Sequence, residues 1–300
     1  MEKKVKDKSL EFTPESIRDY IISRLSKNCD FLFNELDLQM FVARALADKF
    51  KDGYRIYLEY RLPKKWNKEF DEDYKRWGET PYFDIVVEDS KKQKFIAIEL
   101  KYKLREVPLD PNSSFTRFGT SCPVDVDEEI KLVTDQSAQD EGRYDFWKDV
   151  KRLELLGEHF ENVVGGVAVF VTNDETYHKI KGNFKYSQFA FNEKDENSFL
   201  YWNHDAPNCN RICPSSKEDF PNCGKWKECH YCGECGKLGK AERPNFTLHK
   251  SYKGLWHGEK KDDKGHKYLN TWQNECFYCY SVIIQSPSAN SSFAECSERL

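Results

Sequence analysis

The sequence predicts a mixed α/β fold, in which a mixed β-sheet is flanked by helices and carries a cysteine-rich insert. Apolar residues recur at helical spacing in three stretches, while others alternate apolar with polar or run continuously apolar, as strands do. Six of the 11 cysteines crowd into one late segment. The length of 300 residues and the 15% aromatic content allow one sizeable core.

The helices have recognisable starts. Thr13 is followed by proline, and a capping hydroxyl before a first-turn proline favours a helix over 13–26. Asn34 can cap a second helix over 35–50, and the apolar stripe of 144–159 predicts a third. A fourth, short helix is expected to begin at Asn173-Asp174, directly after the apolar run 163–172, and to end at about residue 180.

The strands precede and follow the third helix. Residues 54–62 alternate in the manner of a strand. Residues 83–87 and 94–103 are further strands, and the polar turn at 89–93 can join them as a hairpin. The nearly continuous apolar run 163–172 is typical of a strand covered on both faces.

Composition suggests four regions and an intracellular protein. No secretory signal is seen, and no apolar run approaches the ~20 residues of a membrane helix, so a cytoplasmic location is expected. The net charge of -4 excludes a global nucleic-acid signature, so any basic surface must be local.

The expected regions are a flexible N-terminus (1–12), the main domain (13–202 and 242–285), the cysteine-rich insert (203–241) and a flexible tail (286–300).

An acidic constellation is the most informative functional pattern. Glu99 and Lys101 are two apart in a strand, so they share one face. The hairpin would bring Asp84 near Glu99, and paired carboxylates suit Mg²⁺ or Mn²⁺. Lys101 could then orient a nucleophilic water and contact a phosphate. The alternative is a solvated strand face or a salt bridge, as for most acidic-x-lysine triplets.

The spacing of these residues resembles a known motif. Asp84, a fifteen-residue step and then Glu99-Leu100-Lys101 is similar to the motif of the PD-(D/E)XK nucleases, although Phe83 rather than proline precedes Asp84. The helix that begins Asn34-Glu35 resembles the family helix with an additional metal-binding glutamate. The resemblance spans about residues 14–181.

The resemblance implies a restriction-endonuclease-like core with a four-stranded mixed sheet. It implies Mg²⁺ or Mn²⁺ held by Glu35, Asp84 and Glu99, with Lys101 as a further catalytic residue. Gln139 is a candidate because some members use a glutamine near the following helix. The expected activity is DNA cleavage, as an endonuclease, in a chain that could act as a dimer. Restriction, defence or repair follows only by family analogy.

The cysteines of the insert suggest a structural Zn²⁺ site, because C-x-x-C pairs without an export signal indicate metal rather than disulfides. The preferred ligands are Cys213, Cys223, Cys229 and Cys232, with Cys209, Cys235, His204 and His230 as alternatives. Free thiols in a loop are the plainer interpretation. Some members of the resembled family hold an iron–sulfur cluster, which Cys29, Cys229, Cys232 and Cys235 could imitate.

A second function remains open from the sequence. The acidic cluster could be structural in a zinc-containing module that binds nucleic acid or protein without cutting it. Residues 237–267 carry nine Lys or Arg and four Asp or Glu, a local net of +5 (9 minus 4). That segment could contact a phosphate backbone or form a solvated hairpin.

Overall fold

The computed structural model describes residues 11–28, 32–50, 52–62, 82–108, 131–136, 139–178, 189–191, 197–200, 246–272 and 275–287. The predicted zinc ligands, which include every cysteine of the insert, lie outside the described residues, as does Cys29 of the alternative iron–sulfur cluster. Their roles therefore stay predictions, as does the boundary of the insert.

Three α-helices and one short 3₁₀ helix are described. Thr13 Oγ1 accepts a hydrogen bond from Ser16 N (3.2 Å), and Asn34 Oδ1 accepts one from Asp37 N (2.9 Å), so both predicted caps are present. The third helix begins five residues before the predicted start. The helices are α1 (Pro14–Ser26), α2 (Glu35–Lys49), α3 (Gln139–His159) and the 3₁₀ helix (Glu175–His178).

The described strands are β1 (Tyr54–Arg61), β2 (Tyr82–Asp89), β3 (Lys94–Lys103), β4 (Val107–Pro108), β5 (Lys131–Val133), β6 (Val163–Thr172), β7 (Asn197–Leu200), β8 (Phe246–Tyr252), β9 (Leu255–His257), β10 (Lys260–Lys261), β11 (Lys267–Tyr268), β12 (Asn270–Trp272) and β13 (Glu275–Gln285).

A seven-stranded sheet forms the centre of the protein. Its order is β1-β2-β3-β6-β13-β12, and β9 also pairs with β13. Only β3 and β6 run parallel within it, since α3 crosses between them. The remaining described strands form the pairs β4–β5, β7–β8 and β10–β11.

The predicted mixed sheet flanked by helices is confirmed, with mostly antiparallel strands. Seven strands, rather than the four implied by the resemblance, form the described sheet. None of the described helices combines the length and apolar composition that crossing a membrane needs.

Helices cover the two faces of the sheet and create two apolar cores. Ile98 faces the core shared with α1 and α2, whereas Ala97 faces the core shared with α3. Helix α3 lies close to β6 at Gly166, where the absence of a side chain makes room for Leu153. A Cβ on Gly166 would come within 2.9 Å of Leu153 Cδ2. This close approach lays the middle of α3 over the centre of the sheet, beside β3.

The strand alternation breaks at Asp84. Phe83 and Val86 are three apart, yet both belong to the core beneath α3, which regular alternation forbids. Opposite this point in β1, Glu59 has a left-handed backbone (φ 49°), which is uncommon for a non-glycine residue. The β2–β3 ladder runs from the turn as far as the pair Ile85–Ile98. The irregularity therefore coincides with the end of this ladder.

Candidate active site

Carboxylates bind the backbone of β3 where its ladder with β2 ends. Asp84 Oδ2 accepts a hydrogen bond from Leu100 N (2.7 Å). Glu35, the first residue of α2, accepts one from Tyr102 N through Oε2 (3.0 Å). These bonds satisfy successive outward N–H groups of β3 beyond its last pair with β2. The gap between the strands is thus filled by acidic side chains from two elements.

Lys101 links the two layers of helices through this gap. Its Nζ lies 3.3 Å from Glu35 Oε1, on α2, and 3.1 Å from Asp149 Oδ2, on α3. Because α2 and α3 cover opposite faces of the sheet, a single ammonium group contacts a carboxylate from each layer. Lys101 is therefore held in one place by charges on both sides.

Glu99 is the most deeply buried of the predicted acids, with 2% of its surface exposed. Its Oε1 lies 3.4 Å from Arg152 Nη2 but makes no hydrogen bond. Arg152 also bonds Asp149 Oδ1 through Nη1 (3.0 Å) and donates through Nη2 to the carbonyl of Tyr82. A buried carboxylate oxygen with an ionic contact and no hydrogen bond is unusual and suggests that a further ligand belongs there.

Asp149 and Arg152 were not among the residues predicted from the sequence. Both lie on α3, and with Asp145 they follow the spacing i, i+4, i+7, so they form one charged row beside the apolar stripe. Asp149 and Arg152 are 1% and 6% exposed. A charged row next to the face that packs on a sheet was the available signal.

The surroundings of Asp84 and Glu99 raise the pKa values of both carboxyl groups. Burial raises the pKa of Asp84 to about 6, and the nearby Lys101 offsets only part of this effect. Burial likewise raises the pKa of Glu99 well above its usual range, against the opposing charge of Arg152. The carboxylates of Asp149 and, to a smaller extent, Asp84 raise the pKa of Glu99 further.

Lys101 and Asp149 behave as an ion pair. Burial lowers the pKa of Lys101, but the carboxylates of Asp149 and Glu35 raise it by more, so the net change is well upward. Burial raises the pKa of Asp149, but Lys101 and Arg152 lower it by more, so that carboxyl stays ionised. The site therefore combines the ion pair of Lys101 and Asp149 with two acids whose pKa values are raised by burial.

Lys101, Asp149 and Arg152 line a cleft of about 520 Å³, whereas Glu35, Asp84 and Glu99 are not among its lining residues. It is more polar than apolar in character, and four of its seven lining side chains are cationic, which suits an anionic ligand such as a phosphate. The lining residues are Arg61, Tyr82, Lys101, Asp145, Lys148, Asp149 and Arg152.

The structure places Gln139 elsewhere than expected for a partner of the acids. It lies in the first turn of α3 and donates to Asp174 Oδ2 (2.7 Å), just after β6. Its catalytic role stays a prediction. Among the described residues, the ligand atoms of Glu35, Asp84 and Glu99 do not all come within 4.8 Å of one another. These side chains must move to share one ion.

Comparisons with known proteins add no relative. No protein-family model, no curated protein sequence and no solved structure matched the chain. The function of this protein is therefore inferred from the geometry of the site and from the motif in its sequence.

Proposed function

We propose that this protein is a divalent-metal-dependent nuclease that cleaves DNA as an endonuclease, on a restriction-endonuclease-like scaffold. One observation carries the proposal: the ladder between β2 and β3 ends where Asp84 and Glu99 lie, and Lys101 and Glu35 occupy the same gap. Lys101 also lines a cleft with basic residues, which the site reaches through this side chain.

The residues present fit a hard cation. With all four carboxyls ionised, four acids and two bases give the gap a formal charge of −2 (2 minus 4), which one divalent ion would neutralise; the raised pKa values of Asp84 and Glu99 reflect their burial and that charge. Glu99 Oε1 is buried without a hydrogen bond, as expected of a missing ligand. Oxygen donors of this kind favour Mg²⁺ or Mn²⁺. The charged residues are Glu35, Asp84, Glu99, Asp149, Lys101 and Arg152.

Glu35, Asp84 and Glu99 would hold the ion, which supplies Lewis acidity and a lowered pKa for water. Without a bound metal ion, Lys101 keeps its proton, since neighbouring carboxylates raise its pKa, and its contact with Asp149 holds the ammonium group in place. A lysine that stays protonated cannot take a proton from water, so it acts by orienting water and offsetting phosphate charge. The geometry thus favours the positioning role for Lys101 over direct activation.

Arg152 supplies a second positive charge beside Glu99. Its guanidinium is held by Asp149 and by the carbonyl of Tyr82, so its direction is set before any substrate arrives. Arg61 and Lys148 line the same cleft. We infer that these cations bind the phosphates on either side of the bond that is cleaved.

The test is plasmid nicking by the purified full chain in Mg²⁺ or Mn²⁺, with EDTA as the blank. Glu99→Gln and Lys101→Met should each reduce the rate by roughly 10³-fold, equivalent to about 4 kcal/mol. The matched controls are Glu88→Gln, whose carboxylate bonds Tyr57 on β1, and Lys94→Met at the far end of β3. Unchanged cleavage by Glu99→Gln would remove the assignment.

A second candidate is a nucleic-acid- or protein-binding module without catalysis. One observation favours it: every acid of the gap already contacts a backbone N–H or a cation. In that case DNA would shift in a gel without being cut throughout Mg²⁺ and Mn²⁺ titrations. The proposed zinc, or alternatively iron–sulfur, centre of the cysteine insert fits either function, and metal analysis of the purified chain tests it.

A further inference from the structure

A second group of ligand-type side chains lies away from the proposed nuclease site. Glu175 begins the 3₁₀ helix after β6, and Asp262 and His266 belong to the turn between β10 and β11. One ligand atom from each of the three lies within 4.8 Å of the other two. Within the described parts of the chain, this is the single group of three His, Cys, Asp or Glu that meets that distance.

The carboxylate of Asp262 is fixed in place by its surroundings. Its Oδ1 accepts hydrogen bonds from the backbone N of Lys264 (2.9 Å) and of His266 (2.8 Å). Its Oδ2 accepts one from the hydroxyl of Tyr278 (2.8 Å), on β13. Hydrogen bonds of this kind around a carboxylate hold it in a ligating orientation, as the outer partners of metal ligands do.

The imidazole nitrogens supply the independent observation. His266 Nδ1 is buried and makes no hydrogen bond, although Asp262 Oδ2 is 3.3 Å away. The ring of His178 stacks parallel to that of His266, with centroids 4.2 Å apart, and its Nε2 is likewise buried without a hydrogen bond. A buried ring nitrogen is rarely left without a hydrogen bond, so Nδ1 of His266, beside Asp262, indicates a ligand at this cluster.

A positive charge is already attracted to this position. The ammonium group of Lys264 contacts Glu175 Oε1, although the Lys264 side chain is 62% exposed. The carboxylates thus draw a cation that is free to leave for the solvent. Lys264 would compete with any metal ion for Glu175.

We propose that Glu175, Asp262 and His266 bind Zn²⁺. Two carboxylates balance the charge of the ion, and an imidazole favours zinc over magnesium or calcium. Donor atoms around a tetrahedral zinc lie roughly 3–4 Å apart, so small side-chain movements suffice. The ion would tie the end of β6 to the β10–β11 turn. This site shares no residue with the proposed nuclease centre or with the cysteine insert.

Cobalt(II) distinguishes this site from a cysteine site in the full chain, because only thiolate ligands add sulfur-to-metal charge-transfer bands. The chelator-treated chain is titrated with Co²⁺ and then with Zn²⁺. His266→Ala should remove one bound ion and the visible d–d absorption of a nitrogen- and oxygen-ligated cobalt, while any thiolate bands stay unchanged. His249→Ala is the matched control, since His249 also contacts a carboxylate, that of Glu158, outside the cluster.

Lys264→Met gives a second readout at an exposed position, where misfolding is not expected. Removing the competing ammonium should tighten Co²⁺ and Zn²⁺ binding by about two- to fivefold, in line with the strength of exposed ion pairs. The proposal fails if His266→Ala binds as many ions with the same spectrum. It fails equally if Lys264→Met leaves the affinity unchanged or weakens it.

Discussion

Two buried glutamates, each 2% exposed, have opposite surroundings. Glu154, on α3, accepts four hydrogen bonds: from Lys250 N (2.9 Å), the Tyr252 hydroxyl (2.9 Å), His249 N (2.9 Å) and Lys151 Nζ (3.1 Å). Glu99, on β3, has an oxygen without any hydrogen bond and an ionic contact at 3.4 Å. Helix α3 supplies a cation to both glutamates. Lys151 contacts Glu154, and the next residue, Arg152, contacts Glu99.

The difference teaches how to separate a structural charge from a functional one. A buried carboxylate with all its acceptor sites used stabilises the contact between α3 and β8 and has no capacity for another ligand. A buried carboxylate that lacks hydrogen bonds costs stability in the absence of a ligand. Burial alone does not distinguish Glu154 from Glu99, but the count of donors around each does.

The largest expected effect comes from the satisfied member of this comparison. Glu154→Gln would turn an amide N–H₂ toward existing donors and leave Lys151 as a buried charge without its carboxylate. We expect the free energy of unfolding to fall by about 3 kcal/mol, measured by urea denaturation. Glu158→Gln, one turn later and paired with His249 near the surface, should cost less than about 1 kcal/mol. Equal losses in the two variants would contradict the comparison.

At the site around Glu99 and Asp84, removing a carboxylate should raise the free energy of unfolding rather than lower it. Asp84→Asn removes a carboxyl whose pKa is raised from 3.8 to about 6, and the amide oxygen can still accept from Leu100 N. Without divalent metal at pH 7, we expect the free energy of unfolding to rise by about 2–3 kcal/mol, the equivalent of that pKa change. Cleavage should be lost in the same variant, since Asp84 is a proposed metal ligand.

The pH dependence of this gain has a definite sign. The folded state binds the extra proton between about pH 4 and pH 6, so the wild-type chain loses stability as the pH rises through that window. Above the window the loss is complete, and below it the amide of the variant and the protonated carboxyl of Asp84 are equivalent. Urea denaturation in EDTA at pH 4 and pH 7.5 measures this, and a variant less stable than wild type at pH 7.5 would contradict it.

The smallest effect is expected at the rim of the cleft. Lys148→Ala removes a cation that lines it, so DNA binding should weaken roughly threefold to tenfold and the salt dependence should lose about one counterion. Fluorescence anisotropy in EDTA at several salt concentrations measures both quantities. Lys91→Ala, at the turn between β2 and β3, is the control. A salt slope that Lys148→Ala leaves unchanged would remove the phosphate-binding assignment of this rim.

Local sequence determined the helices and strands and the part of the candidate site that β2 and β3 contribute. The caps at Thr13 and Asn34 and the strands β3 and β6 were predictable because capping and alternation act over a few residues. The hairpin between β2 and β3 is equally local. It was therefore enough to place Asp84 beside Glu99 and Lys101.

The tertiary structure alone decided the part of the site that α3 contributes. Asp149 and Arg152 reach the site because α3 crosses over the sheet and rests close above Gly166, a contact between elements that no local pattern encodes. The opening between β2 and β3 likewise depends on how the irregular backbone at Glu59 meets the strand carrying Asp84. Turn geometry and strand alternation are short-range properties, whereas the balance of charge around Glu99 is set by side chains that packing brings together.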